Sequence, residues 1–209
     1  MTQKSGHASI DSMSSRDEET KTRILNAVIR LMTENEGKGV RMGDIAKAAN
    51  ISRQGIYLHF PSRTQLLEAA TRHKDSVLNL ESRLKPSQEA QFGMERLNAY
   101  IEFWGNYIPE IFSMARALIL AQNTDEAAAS AWRDRMSALR EGCLAAIQAL
   151  HVEGILAEQW TVQEATDLFW TLLSVENWQQ LTQVCGWSTP QYINHMQATA
   201  KLTFVKPVH

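Results

Sequence analysis

Five side chains able to read or grip a polyanion fall within one short stretch: Arg53, Gln54, Tyr57, His59 and Arg63. A guanidinium fork matches guanine or phosphate, and a glutamine amide can make two hydrogen bonds to the edge of adenine. Tyrosine and histidine can donate to phosphate oxygens. This is the chemistry of recognition, and the rest of the chain offers little that could transform a substrate. There is no HExxH, CxxC or GxSxG pattern, and the histidines at 7, 59, 73, 151, 195 and 209 lack metal-ligand spacing. His151 and Glu153 lie two apart and would splay on a helix. No catalytic residue, metal site or cofactor is expected, and the chain is read as a non-enzyme. Cys143 and Cys185 are isolated, so reduced thiols are expected.

The five residues need an element to present them, and the run VRMGDIAKAANISRQGIYLHF (residues 40–60) supplies one. A first helix spans about Met42 to Ala49, with Ile45, Ala46 and Ala49 inward. Asn50 suits the left-handed backbone of a sharp helix stop. Ser52 is an N-cap for a second helix, in which Ile56 and Phe60 face inward while Arg53, Gln54 and Tyr57 face outward. Gly55 removes a side chain where such a helix would approach DNA. The pattern is that of a helix-turn-helix, although an ordinary two-helix corner with a solvated polar face fits the same spacing. The DNA-binding candidates are Arg41, Met42, Ser52, Arg53, Gln54, Gly55, Tyr57, His59 and Arg63.

Charge is distributed in keeping with that reading. Residues 1–85 hold 14 Lys/Arg and 10 Asp/Glu, whereas residues 86–209 hold 7 and 13, within a net charge of −2. A positive head on an acidic body suits a protein that presents one end to DNA. The composition, 44% hydrophobic and 21% charged over 209 residues, is that of an ordinary globular chain. No apolar run approaches the ~20 residues of a membrane span. No signal-peptide core opens the chain, so a cytoplasmic location and no membrane partner are expected.

Periodicity makes the fold all-α. Residues 1–15 read as a disordered polar tail, and residues 16–62 as a three-helix DNA-binding domain. Its first helix opens at a Ser15/Glu18 capping box, carries Ile24, Val28, Leu31 and Met32 on one face, and stops near Gly37. Residues 63–86 form a connecting helix running unbroken from about Ser62 to Pro86, and residues 87–209 a helical ligand-binding and dimerisation domain. There Ser87 caps a helix through Trp104, Pro109 breaks it and starts a shorter one, and a long helix runs from Thr124 to Val152. A Thr161/Glu164 capping box opens a helix to about Val184. On it Leu168, Leu172 and Val175 form one apolar stripe and Trp170, Trp178 and Leu181 an opposite one. A helix apolar on both sides asks for a second covering surface. A last helix follows Thr189-Pro190.

The runs IAKAANIS, IYLHF and PSRTQLL resemble the N-terminal domain of the tetracycline-repressor (TetR) family of transcriptional regulators. Ile45-Ala46, Ala49-Asn50-Ile51-Ser52, Tyr57-Leu58-His59-Phe60 and Arg63 occupy that family's motif positions, over about Thr20 to Leu67. Asn50 stands in place of the usual glycine, and Arg41 where threonine is frequent. The resemblance implies a homodimer meeting through the two C-terminal helices, a double-stranded, palindromic DNA operator, and repression relieved by a small-molecule effector. Few charges lie among the body's stripes, so the effector is expected to be largely apolar. Its candidate contacts are Tyr100, Trp104, Phe112, Met114, Trp132, Met136, Phe169 and Trp170. The dimer candidates are Trp170, Trp178, Leu181, Ile193 and Met196. The alternatives are a body that binds a protein partner, or an activator in place of a repressor.

Overall fold

The computed structural model describes residues 7–34 and 40–207. The helices are α1 (His7–Glu34), α2 (Met42–Ala48), α3 (Arg53–His59), α4 (Arg63–Val77), α5 (Leu80–Gln88), α6 (Gly93–Ala121), α7 (Glu126–Val152), α8 (Val162–Leu172), α9 (Val175–Gln179) and α10 (Thr189–Phe204), with a π-helical turn at Gln180–Val184 between the last two. The described residues contain no strand beyond a single bridge between Leu156 and Val205. None of these helices is long and apolar enough to cross a membrane.

The chain divides into two compact units, residues 1–74 with 116–132, and residues 75–115 with 133–209. In the first, Ile24 and Val28 of α1, Ile45 of α2, Ile56 of α3 and Leu66 of α4 are fully buried. The reversal after α2 is a Schellman stop. Asn50 takes φ 51°, the Ile51 N–H donates to the Ala46 carbonyl at 3.0 Å, and the Asn50 N–H to Lys47 at 3.2 Å. The Arg23 guanidinium donates to the Ala49 carbonyl at 2.9 Å, tying α1 to the turn. The Ser52 hydroxyl then accepts the Gly55 N–H at 2.9 Å and opens α3. The end of α6 and the start of α7 also belong to this unit, which periodicity had given wholly to the body.

The second unit is built on close helix contact and aromatic packing. A Cβ at Gly142 would lie 2.2 Å from the Tyr100 hydroxyl, and one at Gly105 2.4 Å from Ile193, so both glycines let a neighbour reach the backbone. Rings follow one another through the core: Trp160–Phe204 at 5.8 Å, Phe204–Phe169 at 5.8 Å, Phe169–Tyr100 at 6.3 Å and Tyr100–Phe103 at 5.9 Å. The capping box expected at Thr161 and Glu164 is present.

Five expected element boundaries differ. Residues 1–6 and the stop near Gly37 lie outside the described residues, but α1 is already helical at His7, so Ser15 sits inside it. No glycine or proline interrupts residues 7–34. The connecting helix is broken, because Asn79 adopts the left-handed conformation (φ 55°) between α4 and α5. Pro86 lies inside α5, and Ser87 is buried with its hydroxyl donating to the Arg96 carbonyl instead of capping a helix. Pro109 does not break α6. The lost hydrogen bond costs about 3 kcal/mol, and burial of Trp104, Tyr107, Ile108, Met114 and Leu118 on either side outweighs it. The expected helix to Val184 ends at Leu172, where Ser174 caps α9 by accepting the Asn177 N–H at 3.2 Å. Residues on the two sides of that break no longer share one helical wheel, so the two opposed stripes dissolve. Leu173, Val175 and Trp178 are buried, and Leu168, Trp170 and Leu172 are half-buried.

The turn gives the first prediction. Asn50→Gly keeps the left-handed position open and should leave the melting temperature within a degree or two, whereas Asn50→Ala should destabilise the fold by about 1–2 kcal/mol, read by thermal denaturation.

Candidate nucleic-acid interface

The orientation of α3 follows from one buried side chain. Ile56 is fully enclosed, and residues two positions away lie about 200° around a helix, so Gln54 and Leu58 form the ridge directly opposite it. Both are exposed, Leu58 at 81%. Tyr57 at 42% and the exposed Arg53 lie on one flank of that ridge. Four residues of a seven-residue helix thus project away from the protein.

The other expected contacts are placed differently. Met42 is buried at 7% and belongs to the core of the unit, while Arg41 is exposed. The Ser52 hydroxyl is engaged as the cap of α3. A Cβ at Gly55 would come within 2.7 Å of Ile51 and 3.2 Å of the Ser52 hydroxyl, so packing inside the turn already demands glycine there. His59 is anchored through Nδ1 to Asp17 of α1 at 2.9 Å. The hydrogen bond from Lys21 holds the Asp17 carboxyl below its ordinary value, and His59 adds to the effect. His73 is hydrogen-bonded to Asn26 at 3.0 Å in the same unit.

Arg63 does not project as a free cation. Its guanidinium grips Asp125 at 2.6 Å, in the turn that leads into α7. Burial pushes the Asp125 carboxyl up, but the hydrogen bond and charge of Arg63, with the backbone N–H groups of Ala127 and Ala128, bring it below the ordinary value. Two residues beyond α4's first turn the same helices meet again, where the Ser130 hydroxyl donates to Glu68 at 2.8 Å. Beside the Arg63–Asp125 pair is a cavity of about 10 Å³ bounded by Met32, Val40, Leu67, Ala117, Ala121 and Ala128, room for about one water at most. Asp125 gave no signal in the sequence, because its partner lies 62 residues away.

The expected effector contacts are distributed over both units. Tyr100 is buried with its hydroxyl donating to the Leu139 carbonyl at 3.0 Å, and Phe169 packs against it. Trp104 and Met114 are buried, Phe112 packs at a tilt against Trp178 with ring centroids 4.9 Å apart, and Met136 and Trp170 are half-buried. Trp132 is buried in the first unit, whereas all the others fall in the second. Of the expected dimer contacts, Trp178, Ile193 and Met196 are covered by their own chain, and Trp170 and Leu181 keep partial exposure.

Residues 24–70 match the model of the bacterial regulatory proteins, tetR family. The match covers the helix-turn-helix and the helices on either side of it. The fold extends through the rest of the chain. A candidate transcriptional regulator from Saccharomonospora viridis in complex with choline superposes with a TM-score of 0.71 at 20% identity, over 91% of this chain and 100% of the other. NalD, the secondary repressor of the MexAB-OprM multidrug efflux pump in Pseudomonas aeruginosa, gives 0.65 at 17%, over 93% and 100%. The fatty acid degradation regulator FadR from Bacillus halodurans gives 0.68 at 14%, over 95% and 96%. At these identities the likeness establishes a shared fold. No match to a curated protein was found by sequence.

The Asp125 pair yields a pH-dependent prediction. Because the folded-state pKa is lowered, the pair's contribution is full above the ordinary carboxylate pKa and is lost as pH falls through the folded value. The melting-temperature gap between the unmodified protein and its Asp125→Asn variant should therefore be constant from pH 5 to 8 and close below about pH 4, as scanning calorimetry would record.

Proposed function

We propose that this TetR-family regulator is a repressor that binds a palindromic operator as a homodimer and is released by a small, largely apolar effector. The observation that carries the DNA half of this reading is the outward ridge of α3, which presents Gln54 and its flanking Arg53 and Tyr57 opposite the buried Ile56. Two such ridges must lie about 34 Å apart to enter successive major grooves, and a second copy of the chain supplies the other one. The dimer face we assign to α8, the π-helical turn at Gln180–Val184 and α10. Trp170, Leu172 and Leu181 are half-exposed there, and Leu202, opposite the inward Ala200, is 84% exposed.

The effector is assigned to the second unit. Four donors there, Arg96 Nε, Trp104 Nε1, Trp178 Nε1 and the Tyr192 hydroxyl, are buried without a hydrogen-bond partner. An unpaired buried donor costs about 1–3 kcal/mol, so a ligand carrying acceptor oxygens among aromatic carbon would recover that free energy. A choline-like cation suits the site less well. Arg83 already lies over the Tyr107 ring at 5.1 Å, and Asp75, held by Tyr107 and Arg135, has its charge matched by that arginine. Burial pushes the Asp75 carboxyl above its ordinary value against the Tyr107 hydrogen bond and the Arg135 charge.

Helix α4 is the route from effector to head. Asp125 and Ser130 hold its Arg63 and Glu68 in the first unit, while Tyr107 and Arg135 hold Asp75 just beyond in the second. An effector that displaces α6 at Tyr107 would pull on that helix. A hundredfold loss of operator affinity requires about 2.7 kcal/mol of coupling, within the usual range.

Selection from random duplexes should recover a palindromic site bound in a salt-sensitive manner. Gln54→Ala should relax one base position in each half-site at a cost of about 1–3 kcal/mol. Recovery of no preferred site by a folded dimer would refute the reading. For the switch, titration of an aromatic, oxygen-bearing effector should quench tryptophan fluorescence and weaken operator binding, and operator must weaken effector binding by the same factor. Tyr107→Phe should bring that factor towards one while leaving operator affinity without effector unchanged. A quenching ligand without effect on operator affinity would place the switch elsewhere.

A further inference from the structure

Leu58 has no role within its own chain. It is 81% exposed on the helix that faces outward, on the ridge opposite Ile56 and one turn along from Gln54. Its neighbours on α3 are accounted for: Ile56 is core, Gly55 packs on Ile51, and His59 is held by Asp17. The ridge that would enter deepest into a groove therefore consists of one amide and one branched apolar side chain. Base edges in the major groove offer one apolar feature, the C5-methyl group of thymine. Four residues of helix advance ~6 Å, close to two base-pair steps.

We infer that Leu58 is a specificity-determining residue that seats on a thymine methyl group within two base pairs of the pair read by Gln54. The inference rests on the DNA-reading function proposed above and adds a residue to it. Gln54 would select by hydrogen bonds, and Leu58 would select thymine over cytosine and over any base without the methyl group at its position. Because Leu58 is exposed in the free protein, Leu58→Ala should melt as the unmodified chain does, so a loss of binding is not a loss of fold.

The test uses the operator recovered by selection with the full-length protein. Failure to recover an operator would count against DNA reading itself and would leave nothing for Leu58 to refine. With an operator in hand, thymines are replaced one at a time by deoxyuridine, which keeps the base pair and removes only the methyl group. Loss of one buried methyl-sized contact should weaken binding about fourfold, and about fifteenfold when both half-sites are changed. Leu58→Ala should bind the thymine operator as weakly as the unmodified protein binds the deoxyuridine one, and should be indifferent to replacement at that position alone. The inference is overturned if deoxyuridine weakens both proteins equally, or if Leu58→Ala binds the thymine operator as tightly as the unmodified protein. In the latter case the exposed leucine serves a protein surface and not the duplex.

Discussion

The enclosure of Ile56 sets the phase of α3, and the recognition surface depends on that phase. A seven-residue helix has little intrinsic stability, so its rotation about its own axis is decided by which side chain the rest of the unit buries. With Ile56 inward, Gln54 and Leu58 must point outward and Tyr57 and Arg53 must flank them. The surrounding devices protect this arrangement. Asn50 turns the chain, Ser52 caps the helix, and Arg23 fixes the turn to α1 through the Ala49 carbonyl. Each acts on the backbone and leaves the outward face free of structural duties.

Polar contacts along α4 serve orientation more than stability. Partly exposed ion pairs contribute about 0–1 kcal/mol each, so the Arg63–Asp125 pair adds little to the fold. It does fix where the turn before α7 meets the start of α4. The Ser130–Glu68 contact repeats the connection, and Asp75 is held by Tyr107 and Arg135. Several specific contacts of this kind fix the direction of the helix while adding little to stability. A left-handed residue at Asn79 ends this run of contacts by separating α4 from α5.

The second unit combines tight packing with polar groups left unsatisfied. Glycines at 105 and 142 let Ile193 and Tyr100 meet helix backbones directly, and a sequence of rings fills much of the interior. Within that packing, the indole N–H groups of Trp104 and Trp178 and the Tyr192 hydroxyl have no partner. A unit that existed only to be stable would gain by pairing them or by replacing them with apolar groups of similar shape. Their retention is understandable where a second molecule completes the hydrogen bonding.

The local features were legible in the sequence because local physics decides them. The reversal at Asn50, the Ser52 cap, the Thr161/Glu164 capping box and the inward Ile56 each follow from residues within one or two turns, and the family motif concentrates in that same stretch. Long-range features left no such trace. Arg63, an evident phosphate contact by its motif position, is bound to a carboxylate 62 residues away, and Met42 is taken into the core. Trp132 falls in a different unit from Trp104 and Trp170 because α7 passes from one unit to the other, a division that helical periodicity cannot register. Pro109 and Pro86 mark helix ends by propensity, yet burial on both sides carries α6 through Pro109 and the chain tolerates Pro86 inside α5. The sequence by itself determined which short segments turn, cap and face inward. The tertiary structure alone decided which side chains remain available to a partner, because availability depends on what distant segments have already covered.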